Sequence, residues 1–171
     1  TRRLLAITDN SITGQRNAES LRQAPAVRDG RLQIDWSTGQ RIEQIEERLQ
    51  ALGPGTAAIY FASFVPAADG GVLSSNDAVE RLAARSPVPL YGGWAFNLGH
   101  GIVGGCLVDL VEHGRRAGDI AVAVMAGQPP TLRVQPSPNR HLFDDAQLGR
   151  LGLPLAALPA KTQVINRPPS R

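Results

Sequence analysis

The sequence predicts an α/β fold in which helices pack on both faces of a parallel β-sheet. Three observations lead there. Short apolar runs alternate with helix-spaced segments from the first residues onward. The run Thr56–Ser63 (TAAIYFAS) is apolar without alternation, as a parallel strand covered on both faces requires. Clusters of glycine, proline, serine and asparagine separate the segments, and there is no internal repeat or heptad run.

Arg3–Thr8 (RLLAIT) is the first predicted strand, stopping at the turn cluster Asp9-Asn10-Ser11, and Gly14 to Ala24 then has helical spacing ending at Pro25. Leu32–Trp36 alternates as a strand does. Ser37 and Thr38 are candidate caps for a helix with Ile42, Ile45, Leu49 and Leu52 on one face, closed by Gly53-Pro54-Gly55. After Thr56–Ser63 comes a loop from Pro66 to Gly71. Ser74, Ser75 and Asn76 can cap a helix carrying Val79, Leu82 and Ala83, and Pro87–Tyr91 reads as one more short strand. From Gly101 a long helix is predicted to Ala126, with Ile102, Cys106, Leu110, Ile120 and Val124 at apolar positions and Gly114 and Gly118 as weak points. Gly127–Pro130 closes it. A strand at Arg140–Phe143, a short helix at Asp144–Leu151 and an extended piece at Thr162–Ile165 complete the chain.

A chain of 171 residues, 42% of them hydrophobic, can bury the core of one domain. The formal charge is +3, Lys161 is the sole lysine, and aromatic residues make up only 5%. Basic runs do not exceed Arg2-Arg3 and Arg115-Arg116, so no nucleic-acid partner is expected. The lone Cys106 excludes an intrachain disulfide and is expected to be a small buried hydrophobe. With no apolar run near the roughly 20 residues that span a bilayer, and no signal-peptide pattern at Thr1, the expectation is a soluble piece of something longer.

Gly99-His-Gly101-Ile-Val-Gly104 is a formal match to the G-x-G-x-x-G dinucleotide fingerprint. That site needs the glycine turn directly after the first strand of a βαβ unit, and an acidic residue ending the next strand about 20 residues on. Here the motif follows the fourth predicted strand, and the residue near that offset, Asp119, lies inside a predicted helix. No nucleotide or other cofactor is expected. There is no G-x-S-x-G elbow, P-loop or H-E-x-x-H. On one predicted helix Cys106 and His113 would stand about 10 Å apart, too far to pair. Asp109 with His113 has metal-ligand spacing but no further ligand, and reads as a solvated helix face. The chain is expected to have neither catalytic nor metal residues.

In an open parallel sheet, ligands bind beyond the carboxyl ends of the strands. The residues there are Asp9, Asn10 and Ser11 after the first strand, Ser63 and Phe64 after the third, and Tyr91, Gly92 and Trp94 after the fourth. Carboxylate, amide and hydroxyl groups can fix a polar solute, while Phe64, Tyr91 and Trp94 can cover its apolar face. Each has a second reading: Asp9-Asn10-Ser11 as a helix cap, Ser63 bonded to local backbone, Phe64 as core. His100, between two glycines, is a further candidate for ligand contact, or a histidine satisfied by backbone in a turn.

The blocks Pro89–Trp94 (PLYGGW), Leu98–Gly105 (LGHGIVGG), Gly127–Pro130, Pro138–Arg140, Phe143-Asp144, Leu158-Pro159 and Asn166–Ser170 (NRPPS) occur together in this order. With Ile7–Gly14 and Ala58–Phe64 they make the sequence resemble the ABC-type substrate-binding-protein-like sensor region of bacterial sensor histidine kinases, a relative of the periplasmic sugar and amino-acid receptors. The loop Phe64–Gly71 departs from the family's shorter aromatic-Arg-Asp pattern, so Asp69 is not carried over as a ligand contact. The resemblance implies a three-layer, Rossmann-like lobe of a type I periplasmic-binding-protein fold. Residues 1–97 would form the second lobe, 98–130 the glycine crossover and long helix, and 131–171 an irregular C-terminal segment, the first lobe lying upstream.

The function implied is a non-catalytic, extracytoplasmic small-solute sensor that signals by lobe closure, within a two-component membrane protein. A solute-binding subunit of an ABC transporter is the alternative. A nucleotide-dependent enzyme and a ligand-free spacer are further readings. The partners expected are a sugar, amino acid or carboxylate, the first lobe of the same protein, and a second copy if apolar surface around Ile102, Leu107 and Leu110 is exposed.

Overall fold

A computed structural model describes residues 2–128 and 134–169. Thr1, Pro129, Pro130 and Ser170, which belong to segments read above, lie outside the described residues. The elements are β1 (Arg3–Thr8), α1 (Ile12–Arg22), α2 (Pro25–Arg28), β2 (Gln33–Thr38), α3 (Ile42–Gln50), β3 (Thr56–Tyr60), β4 (Phe64–Pro66) and β5 (Val72–Ser74). They continue as α4 (Ser75–Arg85), β6 (Leu90–Gly92), β7 (Gly104–Leu107), α5 (Leu110–Met125), β8 (Arg140–Asp144), α6 (Asp145–Arg150) and β9 (Gln163–Ile165). None of the described helices is long and apolar enough to cross a membrane.

One seven-stranded sheet has the order β2-β1-β3-β6-β7-β8-β9. The first five are parallel, β8 runs antiparallel to β7, and β9 is parallel to β8. The chain steps from β1 to β2 in one direction and then back past β1 to β3. Right-handed crossovers therefore put α1 and α3 on opposite faces. Leu5, Ile7, Ala58, Tyr60 and Leu90 pack with Ile42, Ile45 and Leu49 of α3 and Val79 and Leu82 of α4. Leu4 and Ala6 alternate with these and are buried on the other side, towards α1. Tyr91 and Phe143 alternate with Leu90 and Leu142 in the same way, and form a second apolar cluster with Val103 and Leu148 of α6. The expected three-layer α/β architecture is therefore present.

Between α3 and α4 the Glu46 carboxylate, almost fully buried, accepts from Arg81 at 2.8 Å and pairs with Arg85 at 3.5 Å. The Arg81 hydrogen bond, with the positive field of both arginines, outweighs burial and holds Glu46 below the usual carboxylate range. This ties the two helices of one face together.

The structure differs from the sequence expectations in definite places. The stretch predicted as a helix from Gly101 is a turn followed by β7, and the helix proper begins only at Leu110, capped by Asp109 Oδ1 accepting from Val111 and Glu112 N–H. Cys106 consequently lies on a strand opposite His141, exposed rather than buried, and shares no helix with His113. Asp109 caps α5 and accepts from Arg140 at 3.1 Å, which accounts for its position without a metal. Ile102 and Leu107 are fully buried; the exposed apolar surface is on α5 instead, at Leu110, Val111, Val122, Val124 and Met125. Ser37 and Thr38 end β2 and cap nothing, because α3 starts later, after Arg41, whose N–H donates to Gln44 Oε1 at 3.0 Å. The Pro66–Gly71 loop is the turn of a β4–β5 hairpin, where Asp69 accepts from the Gly71 N–H at 2.8 Å.

Candidate functional site

The carboxyl edge of the parallel strands is built around Asp9. The sheet order reverses between β1 and β3, the topological switch point where such sheets leave a crevice. Asp9 ends β1 there and is 9% exposed. Its Oδ2 accepts from the Ser63 N–H at 2.6 Å, and its Oδ1 accepts from the Ser11 N–H at 2.9 Å and from the Ser11 hydroxyl. Burial alone would raise its pKa; the Ser11 hydroxyl and the N–H groups of Ser63, Ser11 and Phe64 together outweigh it and hold the carboxyl below its ordinary value. Asp9 therefore clips the end of β1 to the segment leaving β3. Gly14 makes this possible, since a Cβ there would collide with the carbonyl and carboxylate of Asp9.

Ser11 is the N-cap of α1 and accepts from the Gly14 N–H at 3.0 Å. Asn10, exposed, lies against Gly39 at the end of β2, where a side chain would collide with its amide. Thr8 and Thr38 share a 2.9 Å hydrogen bond beneath them. Of the polar candidates, Asn10 presents a side-chain amide outward, while Asp9 and Ser11 are held by each other.

Apolar side chains follow the neighbouring strands at the same edge. Phe64 is 64% exposed and Phe96 44% exposed. Trp94 stacks on Phe96 with ring centroids 5.8 Å apart and planes 18° from parallel. Phe61 lies over Gly93, with no room for a Cβ between them. Ile12, at the start of α1, and Leu110 and Val111, at the start of α5, are exposed at the same edge. A depression of about 250 Å³ opens between Ala95, Phe96, Asp109, Leu110 and Val111. A larger one, about 370 Å³, lies among Arg3, Asp35, Arg48 and Thr56 at the amino edge, away from the crevice.

The structure thus brings Asp9, Asn10, Ser11, Ser63, Phe64 and Trp94 to one edge and leaves two candidates elsewhere. Tyr91 is in mid-strand and packs in the cluster of Val103, Phe143 and Leu148; burial pushes its hydroxyl pKa up. His100 turns onto α4, with Nδ1 2.6 Å from Glu80 Oε1 and Nε2 3.3 Å from Asn76 Nδ2. Two contributors were not singled out from sequence, Phe96 and Asn97; the Trp-x-Phe spacing after a strand is the signal that marks Phe96. Among the described residues no three His, Cys, Asp or Glu side chains gather as a metal site. The fingerprint glycines lead into β7 rather than from a strand into a helix, so no helix N-terminus faces them for a phosphate.

Beneath this edge, the fully buried Tyr60 hydroxyl lies beside Ser75 without a hydrogen-bond partner among the described residues, and burial raises its pKa well above the ordinary value. Tyr60→Phe is therefore expected to leave stability unchanged or to raise it by up to about 1 kcal/mol, because no bond is lost and a desolvated hydroxyl is removed. Urea unfolding checks this; a loss above that size would show that the hydroxyl is bonded.

No protein-family model matches the sequence, and no curated protein matches it. Solved structures do. The chain is similar to an ABC domain in complex with L-Trp from Streptococcus pneumonia, at 15% identity and TM-score 0.64, covering 96% of this chain and 55% of that one. It is also similar to the ligand-free, open structure of CD0873, a substrate binding protein with adhesive properties from Clostridium difficile, at 12% identity and TM-score 0.68, covering 96% and 54%. A conserved domain protein from Vibrio cholerae matches at 14% identity and TM-score 0.60, covering 95% and 54%. The chain shares the substrate-binding-protein fold. It spans about half the length of these structures.

Proposed function

We propose that this chain is one lobe of a small-solute-binding protein, with the solute held at the carboxyl edge of the sheet. The observation that carries the reading is that the aromatic residues Phe64, Trp94 and Phe96 follow strands at the same sheet edge as the polar groups of a topological switch point. Stacked rings cover a flat apolar face while an outward amide such as Asn10 fixes a polar end. Of the solute classes expected, this favours an amino acid with an apolar or aromatic side chain, and the L-Trp bound by one structural neighbour supports it. Helix α5 buries none of its residues on the lobe, and its apolar side chains offer a surface for a second lobe whose closure would enclose the solute. The protein is read as non-catalytic and extracytoplasmic. The sequence resemblance supports a sensor ahead of a membrane-bound kinase, and the substrate-binding neighbour supports the transporter-subunit alternative.

The test is a thermal-shift screen of the protein at its full natural length against amino acids, sugars, carboxylates and nicotinamide nucleotides. A ligand at 100 times its Kd adds about 2.7 kcal/mol of stability. Trp94→Ala is expected to weaken a solute hit by about 2 kcal/mol, roughly 30-fold in Kd. Silence across the panel, or a hit with nucleotide alone, would sink the reading.

A further inference from the structure

A chain of side-chain amides runs from the surface to the base of the Trp94–Phe96 stack. Asn97, fully buried, donates through Nδ2 to Ser75 Oγ at 3.0 Å and to Asn76 Oδ1 at 2.8 Å. That fixes the Asn76 amide, whose Nδ2 then faces His100 Nε2 at 3.3 Å. An amide nitrogen only donates, so Nε2 must accept. The imidazole proton therefore sits on Nδ1 and is donated to Glu80 Oε1 at 2.6 Å. His100 is neutral in this arrangement.

A second proton on Nε2 would set two donors against each other. The conflict is relieved if Asn76 turns over to offer Oδ1 to the imidazolium, and Asn97 must then turn over to offer its own Oδ1 to Asn76. Ser75 would donate to Asn97 and release the Ala62 carbonyl, which it now reaches at 3.3 Å. In the present order the buried Asn97 Oδ1 has no partner among the described residues, so this order leaves one acceptor unsatisfied. The turned-over order would instead place the Asn97 Nδ2 in that position and free the Ala62 carbonyl, so only the new bond between the imidazolium and Asn76 can favour it, and the charge of His100 selects between the two orders.

Asn97 connects this choice to the stack. It ends the turn Ala95–Asn97 that carries Phe96, its N–H donates to the Trp94 carbonyl at 3.2 Å, and its carbonyl accepts from the His100 N–H at 3.2 Å. The charged groups around the imidazole are Glu80 from α4, which favours the second proton, and Arg150 from α6, which lines the same groove and opposes it. We propose that His100, Asn76 and Asn97 form a proton-sensitive relay that resets the Trp94–Phe96 stack. The interval to examine is about pH 5 to 8, where imidazole side chains in general change charge.

The 171-residue chain carrying Trp36→Phe leaves Trp94 as the one tryptophan, and ¹⁵N NMR follows the imidazole and the Asn76 and Asn97 amides across that range. The expected result is the Nδ1–H tautomer at neutral pH, with both amides and the Trp94 emission moving at the His100 midpoint. Asn76→Asp can accept from both neighbours without turning over. In that variant His100 is expected to titrate while Asn97 and Trp94 no longer follow it. Replacing His113 or His141 by Gln is expected to leave the coupling intact. An Nε2–H tautomer at neutral pH, or a His100 titration to which Asn97 and Trp94 do not respond in the Trp36→Phe chain, would overturn the relay.

Discussion

Asp9→Ala is expected to lower stability at neutral pH by about 2–3 kcal/mol, because it strips acceptors from buried N–H groups at two strand exits. The Ser63 N–H donates to the Asp9 carboxylate across 54 residues of sequence. Alanine also leaves Ser11 without its side-chain partner, although Ser11 can still cap α1 through its bond to Gly14. The loss is thus concentrated between β1 and β3, and amide exchange at Ser63 and Phe64 should quicken before the helices loosen. The same carboxylate makes stability depend on pH, with a definite sign. Its folded pKa lies below the unfolded value near 3.8, so its contribution is complete above that value and is lost as pH falls through the folded pKa. Glu46 shifts in the same direction. The measurement is therefore a difference: urea unfolding of wild type and Asp9→Ala at neutral pH and near pH 3, with the gap between them narrowing in acid. A constant gap would show that the carboxylate is not what the N–H groups hold.

What the sequence disclosed, and what it concealed, follows from where the structural information resides. β1, β3, α3 and α4 were legible because each carries its own apolar pattern, an unbroken run or a 3.6-residue stripe. β7 was not. Gly-Gly-Cys-Leu has no strand propensity to speak of, and it is extended because β6 and β8 hydrogen-bond it from either side. The β4–β5 hairpin is short, forms a separate two-stranded sheet and packs against α4. For the site, the rule that ligands lie beyond strand ends located Asp9, Asn10, Ser11, Ser63, Phe64 and Trp94 at one edge. Tyr91 shows the limit of that rule. The strand extends one residue past it, to Gly92, and a side chain in mid-strand belongs to one face of the sheet rather than to its end. His100 was named as a candidate for ligand contact, but its bonds, and the part played by Asn97, were beyond reach because the partners Asn76 and Glu80 are twenty residues or more away on α4.

The glycines of the apparent fingerprint make the sharper prediction, since a packing role and a phosphate-binding role order the same substitutions differently. At Gly104 φ is +137°, and a Cβ would collide with the Leu142 carbonyl and come within 2.7 Å of the Phe143 Cα, both in the paired backbone of β8. Neither can yield without breaking the ladder. Gly104→Ala is expected to cost about 3–4 kcal/mol, from backbone strain and overpacking together. At Gly101 φ is +121° and the collision is with the Cβ of Ala83 on α4, a side chain that can be removed. Gly101→Ala should therefore be nearly as damaging alone, yet recover in part when Ala83→Gly is added, a rescue with no counterpart at Gly104. At Gly99 the nearest atom is the Ile165 Cδ1 at 3.7 Å, so alanine meets only the conformational penalty of φ +85°, about 1–2 kcal/mol. The order Gly104, Gly101, Gly99 in urea unfolding is the signature of a chain being threaded past α4 into the sheet. Equal losses at all three, or affinity for a nicotinamide nucleotide that disappears on Gly101→Ala at unchanged stability, would return these glycines to the role their spacing suggests.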